Sequence, residues 1–188
     1  MMPFEVKRFN KDLVGDFYLL HNKKKGAGWC FCIAWWIDSW DGWSDRTAGE
    51  NRKARDELLY RGEYDGYLLY INDIPIGWCQ VGPRDRLSKL VRQFELEPDP
   101  NTWAITCFLI DPDHRRRGLA SHLLCEILMD LKELGIGRVE AFPRHGAEID
   151  EMDMWNGPES IFAQAGFSVV QEDSIRLVLA IELTDLAL

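Results

Sequence analysis

Along Phe4-Glu5-Val6-Lys7-Arg8-Phe9, apolar and polar positions alternate with the period of a strand that buries one face. Asn10 then stands where a cap belongs, ahead of a predicted helix carrying Leu13, Val14, Phe17, Tyr18 and Leu20. Residues 22–28, three lysines among asparagine, alanine and glycines, read as a turn. A second helix is expected from Asp45 through Ala54, Leu58 and Leu59 to Gly62. Residues 66–71 and 76–81 predict a hairpin turning at Asn72-Asp73-Ile74-Pro75, and Gly82-Pro83-Arg84 ends its second strand. A short helix follows over Ser88 to Phe94, then turn residues at Pro98-Asp99-Pro100-Asn101.

Trp103 to Ile110 is a nearly unbroken apolar run, the pattern of a central strand covered on both faces. Beyond Gly118, the apolar positions Leu119, Ala120, Leu123, Leu124, Ile127, Leu128, Leu131 and Leu134 fall on one helical stripe, which Gly135-Ile136-Gly137 stops. Val139 to Phe142 is a further short strand. Strand, turn, helix and strand predict a right-handed βαβ unit. A helix over Glu159 to Ala165 and strands at 167–171 and 175–183 complete a mixed α/β class around one sheet.

With 188 residues, one domain is expected, spanning 1–188. No apolar run is long enough to cross a membrane, and the N-terminus lacks the basic-then-apolar order of a signal peptide; the expected location is the cytoplasm. A net charge of −9 opposes nucleic-acid binding. The five cysteines are odd in number and scattered, so reduced core thiols are expected. No His or Cys pair has zinc spacing, and no metal is expected. Trp29, Trp35, Trp36, Trp40 and Trp43 form a dense patch with two readings: core filling, or indole faces that attract an ammonium group.

The chemistry concentrates in His114-Arg115-Arg116-Arg117-Gly118-Leu119-Ala120. The first N–H groups of a helix have no internal partner, and the macrodipole makes that end partly positive. Arginines there oppose the dipole unless an anion compensates, so a phosphate or pyrophosphate is the expected guest.

Arg115-x-x-Gly118-x-Ala120, after an apolar strand and opening an amphipathic helix, resembles the Gln/Arg-x-x-Gly-x-Gly/Ala signature of the GNAT N-acyltransferase superfamily. Phe162-Ala163-Gln164-Ala165-Gly166-Phe167 is similar to its later Tyr-x-x-x-Gly-Phe. The likeness runs from Phe4 to about Leu183. Ile76-Gly77-Trp78-Cys79-Gln80 and Asn156-Gly157-Pro158-Glu159-Ser160 look like a bacterial subgroup of that superfamily.

The resemblance implies a twisted mixed sheet flanked by helices, with acetyl-CoA as acyl donor. It implies that backbone amides of Arg115, Arg116, Arg117, Gly118, Leu119 and Ala120 hold the CoA pyrophosphate. Phe108, Leu109 and Ile110 would pair with the pantetheine arm, and an amide near Phe108 or Leu109 would polarise the acyl carbonyl. Asn156 joins the cofactor-binding set. The acceptor would be a small-molecule or peptide amine, attacking directly, and the protein a monomer or homodimer. Phe162 stands where the family carries a proton-donating tyrosine; water, Ser160 or another tyrosine are the substitutes. Glu140 is the first candidate base, with His145 and Asp150 behind it, against a reading of Glu140 as an outward-facing strand residue. The Phe162 substitution also leaves a second function open, a non-catalytic acyl-CoA-binding sensor or interaction module. A nucleotide-binding domain is disfavoured, because Gly-x-x-x-x-Gly-Lys-Ser/Thr is absent.

Overall fold

A computed structural model describes residues 4–23, 27–144, 155–173 and 177–185. Seven strands form one sheet in the order β1-β2-β3-β4-β5-β7-β6. They are β1 (Phe4–Arg8), β2 (Tyr67–Ile71), β3 (Ile74–Pro83), β4 (Thr102–Ile110), β5 (Arg138–Ala141), β6 (Ser168–Glu172) and β7 (Leu177–Glu182). Every neighbouring pair is antiparallel except β4 and β5, which run parallel and are joined through the long helix α5 (Leu119–Glu133). The mixed α/β sheet flanked by helices thus matches the fold expected from sequence.

The predicted apolar stripe of α5 is the face that packs. Leu123, Leu124, Ile127, Leu128 and Leu131 are buried against β2–β5 and β7, meeting Leu69, Val81, Ile105, Val139 and Leu179 in one cluster. Each such side chain stabilises the fold by about 1.5–3 kcal/mol relative to exposure, which makes this helix the main cover of one sheet face.

The opposite face carries α1 (Val14–Asn22), the short α2 (Ala27–Cys30), α3 (Ala48–Tyr60) and α4 (Ser88–Phe94). Asn10 caps, as expected, but it caps a 3-10 turn over Lys11–Leu13 that leads into α1. α3 begins later than Asp45. Thr47 and Glu50 form a reciprocal capping box, and that pairing outranks the acidic residue upstream. β2 begins one residue after Gly66, where a Cβ would lie 2.2 Å from the Trp78 ring, so only glycine lets the two segments approach.

An aromatic layer fills this second face. Trp78, fully buried, stacks on Tyr64 and meets Phe9 and Phe17 edge-on. The Arg55 guanidinium, also fully buried, lies over Phe17 and Tyr18 and donates to Asp56 at 2.6 Å. All five cysteines are free thiols. Cys32 and Cys107 Sγ approach to 3.0 Å inside the layer, and Cys125 is exposed on α5.

His21 is buried in this layer, stacked on Phe17 with ring centroids 3.8 Å apart. Its Nδ1 lies 2.8 Å from Phe17 O and carries the proton, leaving Nε2 facing Cys32 Sγ. Burial keeps the imidazole neutral and lowers its pKa to about 4. The unfolded chain takes up that proton near pH 6.5, so the stabilisation is complete above that pH and is lost as pH falls toward 4. In urea titrations, His21 should contribute a loss of about 3 kcal/mol across this window. His21→Gln, whatever its stability at pH 7, should lack that part of the slope.

Candidate functional site

β4 outruns its parallel neighbour. β5 pairs only with Thr102–Ile105, and among the described residues Thr106 to Ile110 continue with no strand on that side. The strand also changes register there. Gln80 of β3 faces Cys107 while Val81 faces Ile105, so Thr106 is the extra residue of a bulge that bends β4 away from β5. Asp111 N donates to Ile76 O of β3 at 2.7 Å. Because peptide groups alternate sides along a strand, those of Phe108 and Ile110 face the open gap, and Leu109's turn back toward β3. Asn156 supports the far wall, its Nδ2 donating to Phe142 O at 2.8 Å just beyond β5. Its Oδ1 is buried with no hydrogen-bond partner among the described residues.

At the end of β4 the chain turns into α5. Asp111 accepts from Asp113 N, and the chain then passes Arg116 and Gly118 at φ of 59° and 75°. Only glycine holds such a φ without cost, which explains Gly118 at the helix cap. No side chain caps this end, and no acidic residue lies in its first turn. The first helical bond is His122 N to Gly118 O, so the amides of Leu119, Ala120 and Ser121 precede the ladder. Arg115, Arg116 and Arg117 are exposed around them. Arg115 Nε donates to Ile110 O and Arg117 Nη2 to Asp113 O, contacts that brace the turn. The structure thereby brings the arginine turn and the open edge of Phe108–Ile110 into one continuous surface, with Asn156 across the gap.

The other expected residues lie differently. Glu140 is buried, with Oε2 2.9 Å from Arg84 Nη1 and Oε1 3.1 Å from Arg138 Nε. Both carboxylate oxygens are therefore committed to guanidinium donors, and the side chain faces the packed second face rather than solvent. Ser160 is exposed on α6 (Glu159–Gln164). Phe162 is fully buried, packed against Phe108 and Phe167. The tyrosines are engaged elsewhere: Tyr18, Tyr64, Tyr67 and Tyr70 donate to Asp56, Phe31 O, Asp130 and Asp16, and Tyr60 is exposed on α3. His145 and Asp150 fall outside the described residues.

Two residues without a predicted role line one small cavity behind the bulge. Thr106 is buried, its hydroxyl unpartnered, in a cleft lined by Trp36, Asp65, Gln80 and Ala104. Burial raises the Asp65 carboxyl above its ordinary range, against the lowering pull of Arg86, its partner at 3.0 Å. Thr106 did leave a signal, as the one hydroxyl in the apolar run 103–110. Asp65 left none, since an acidic residue before a strand is ordinary.

The tryptophan patch divides. Trp35 is core, while Trp40 stays 40% exposed and donates to Gln93. Between them lies a cation from the protein itself. Lys89 of α4 is buried, with Nζ 3.4 Å from the Trp40 ring centre, 5.7 Å from Trp43 and 5.8 Å from Trp35. Among the described residues Nζ has no hydrogen-bond partner, and burial lowers its pKa to about 8.

Among the described residues, no group of three or more His, Cys, Asp or Glu could hold a metal, and no helix is long and apolar enough to cross a membrane. The sequence profile of the acetyltransferase (GNAT) family matches residues 29–149. No curated protein matches the chain. Among solved structures it is similar to a GNAT-family protein from Desulfovibrio desulfuricans, with 16% identity, TM-score 0.61, and 96% of this chain and 99% of the other covered. An N-acetyltransferase from Staphylococcus aureus Mu50 is similar at 14% identity and TM-score 0.57, with the same coverage of 96% and 99%. The PaiA N-acetyltransferase of Thermoplasma acidophilum, solved with coenzyme A, aligns at 12% identity and TM-score 0.57, again over 96% and 99%.

Two stability measurements test these placements. Glu140→Gln should cost about 3–5 kcal/mol in denaturant unfolding, because Arg84 would keep a buried charge with half its compensation gone. Lys89→Met should be more stable than the native chain at pH 7. The unfolded lysine holds its proton to about pH 10.4 and the folded one only to about 8, so native stability rises between those values. The advantage of Lys89→Met should shrink over that window.

Proposed function

The chain belongs to the acetyltransferase (GNAT) family, and from that premise we propose that it transfers an acetyl group from acetyl-CoA to a primary amine, by direct attack without an acyl-enzyme. One observation carries the reading: the uncapped, arginine-flanked start of α5 lies at the end of the strand whose edge stands open. Acetyl-CoA would bring an anionic diphosphate, an amide-bearing arm and an activated thioester.

The backbone amides from Arg115 to Ala120 suit the diphosphate, since the local dipole and three guanidiniums favour an anion and the helix's first turn carries no acidic residue. The N–H and C=O of Phe108 and the N–H of Ile110 suit the arm, which would add to β4 as an extra strand. The Phe108 amide would then polarise the acyl carbonyl. Asn156 Oδ1, a buried acceptor without a donor, suits an N–H of the same arm.

Proton handling falls to the cleft behind the bulge. Asp65, its carboxyl raised by burial, is the base we assign, acting on the acceptor ammonium through one water. Glu140 serves instead to anchor Arg84 and Arg138. As the amine nitrogen bonds the acyl carbon, the carbon–sulfur bond breaks and the sulfur takes up a proton. A thiol of pKa about 8.5 leaves without a strong acid near neutrality, so the missing tyrosine slows the step rather than forbids it.

Phe162, buried and unable to donate a proton, favours a second reading, an acyl-CoA-binding module without turnover. Thiol release from acetyl-CoA with a panel of amines separates the two. Transfer should be detected, and Asp65→Asn should lower kcat about 10²-fold or more, with loss of the acidic limb of the pH–rate profile. Gly118→Val should weaken CoA binding in calorimetry while the fold persists, because valine cannot hold the φ of that cap. CoA heat without thiol release would favour the second reading. Absence of CoA heat with the native chain would remove both.

A further inference from the structure

The cation inside the tryptophan cage is held in an unusual way. Lys89 Nζ sits deep, with an indole face at 3.4 Å and two more within 6 Å, yet donates no hydrogen bond. Among the described residues no carboxylate lies within ion-pair distance of it; Cys30, Arg92 and Asp38 act on it electrostatically from further away. An ammonium that gives up its hydration for ring faces alone is weakly retained. A stable core would place an apolar side chain there. The rim is also open, since Trp40 is the exposed member of the cage.

The cage adjoins the reaction cleft. Trp35 turns into the cage while its neighbour Trp36 lines the cleft beside Thr106. Leu87, two residues before Lys89, lines the same cleft. Cage and cleft thus share a wall, made by Leu87 and the Trp35–Trp36 pair.

We propose that Trp35, Trp40 and Trp43 form an ammonium subsite for the acceptor, filled by Lys89 of the chain itself until the acceptor's own cation displaces it. The acceptor class follows: a molecule with two amino groups, one kept protonated in the cage and the other presented at the bulge for acylation. Its role as an acceptor site rests on the transferase reading; its ability to bind a cation does not.

Tetramethylammonium is the probe, because it carries a charge without an N–H and cannot consume amine reagents. Lys89→Ala should bind it about tenfold more tightly than the native protein in calorimetry or by tryptophan fluorescence. Trp40→Ala added to Lys89→Ala should abolish the gain, and neutral tert-butanol should show none. In the native protein, the probe should increase labelling of Lys89 by an N-hydroxysuccinimide ester, read by peptide mass spectrometry, as the displaced amine reaches solvent. This second measurement stands if Lys89→Ala does not fold. Equal binding by Lys89→Ala and the native chain, an equal gain for tert-butanol, or Lys89 labelling that the probe leaves unchanged would overturn the proposal. Probe binding with no heat from CoA would leave the ammonium site standing and remove the transferase reading.

Discussion

The site depends on a mismatch of length between two parallel strands. β4 has nine residues and β5 four, so their shared ladder stops at Ile105 and Ala141. The bulge at Thr106 converts that unequal length into divergence. Both strands must still be fixed firmly, or the gap would close by collapse. α5 fixes one face through its leucine stripe, and the Arg84–Glu140–Arg138 network pins β5 on the other. Asn156 then braces the chain just past β5. An open edge in the middle of a sheet is a cost, because its peptide groups lack ladder partners, and the surrounding packing holds that cost in place.

The second sheet face places charge among aromatic rings. Arg55 lies over Phe17 and Tyr18, and Lys89 over Trp40, with ring faces doing part of what solvent would do. The two differ in a telling way. Arg55 reaches Asp56 at 2.6 Å and closes a local pair, whereas Lys89 has the rings alone. A guanidinium is less strongly hydrated than an ammonium and suits permanent burial better. The lysine therefore has the character of an occupant more than of a fixture.

Much of this was legible in the sequence. The α5 stripe, the apolar β4 run, the hairpin and the arginine turn all appear as periodicity or as charge set against a dipole, and those are local signals. What escaped was relational. Glu140 alternates correctly for a half-exposed strand, but its neighbours across the sheet, Ala104 and Ala180, are small enough to let Arg84 cover it. Arg84 lies 56 residues away in sequence, and no local pattern links them. The tryptophan patch permitted an ammonium, but no spacing could reveal that the ammonium belongs to Lys89. Thr106 was visible as an odd residue in its run, whereas the bulge that gives it meaning exists only in the register against β3.

The short seam between β4 and β5 has a mechanical consequence. It joins a four-stranded half, β1 to β4, to a three-stranded half, β5, β7 and β6, through just the pairs from Thr102–Arg138 to Ile105–Ala141. An extended ligand lying along Phe108 to Ile110 would span the wedge, supplying hydrogen bonds that no described strand makes there. The protein would then borrow from its guest some of the stiffness that other sheets obtain from an additional strand, and departure of that guest would return the two halves to their looser coupling.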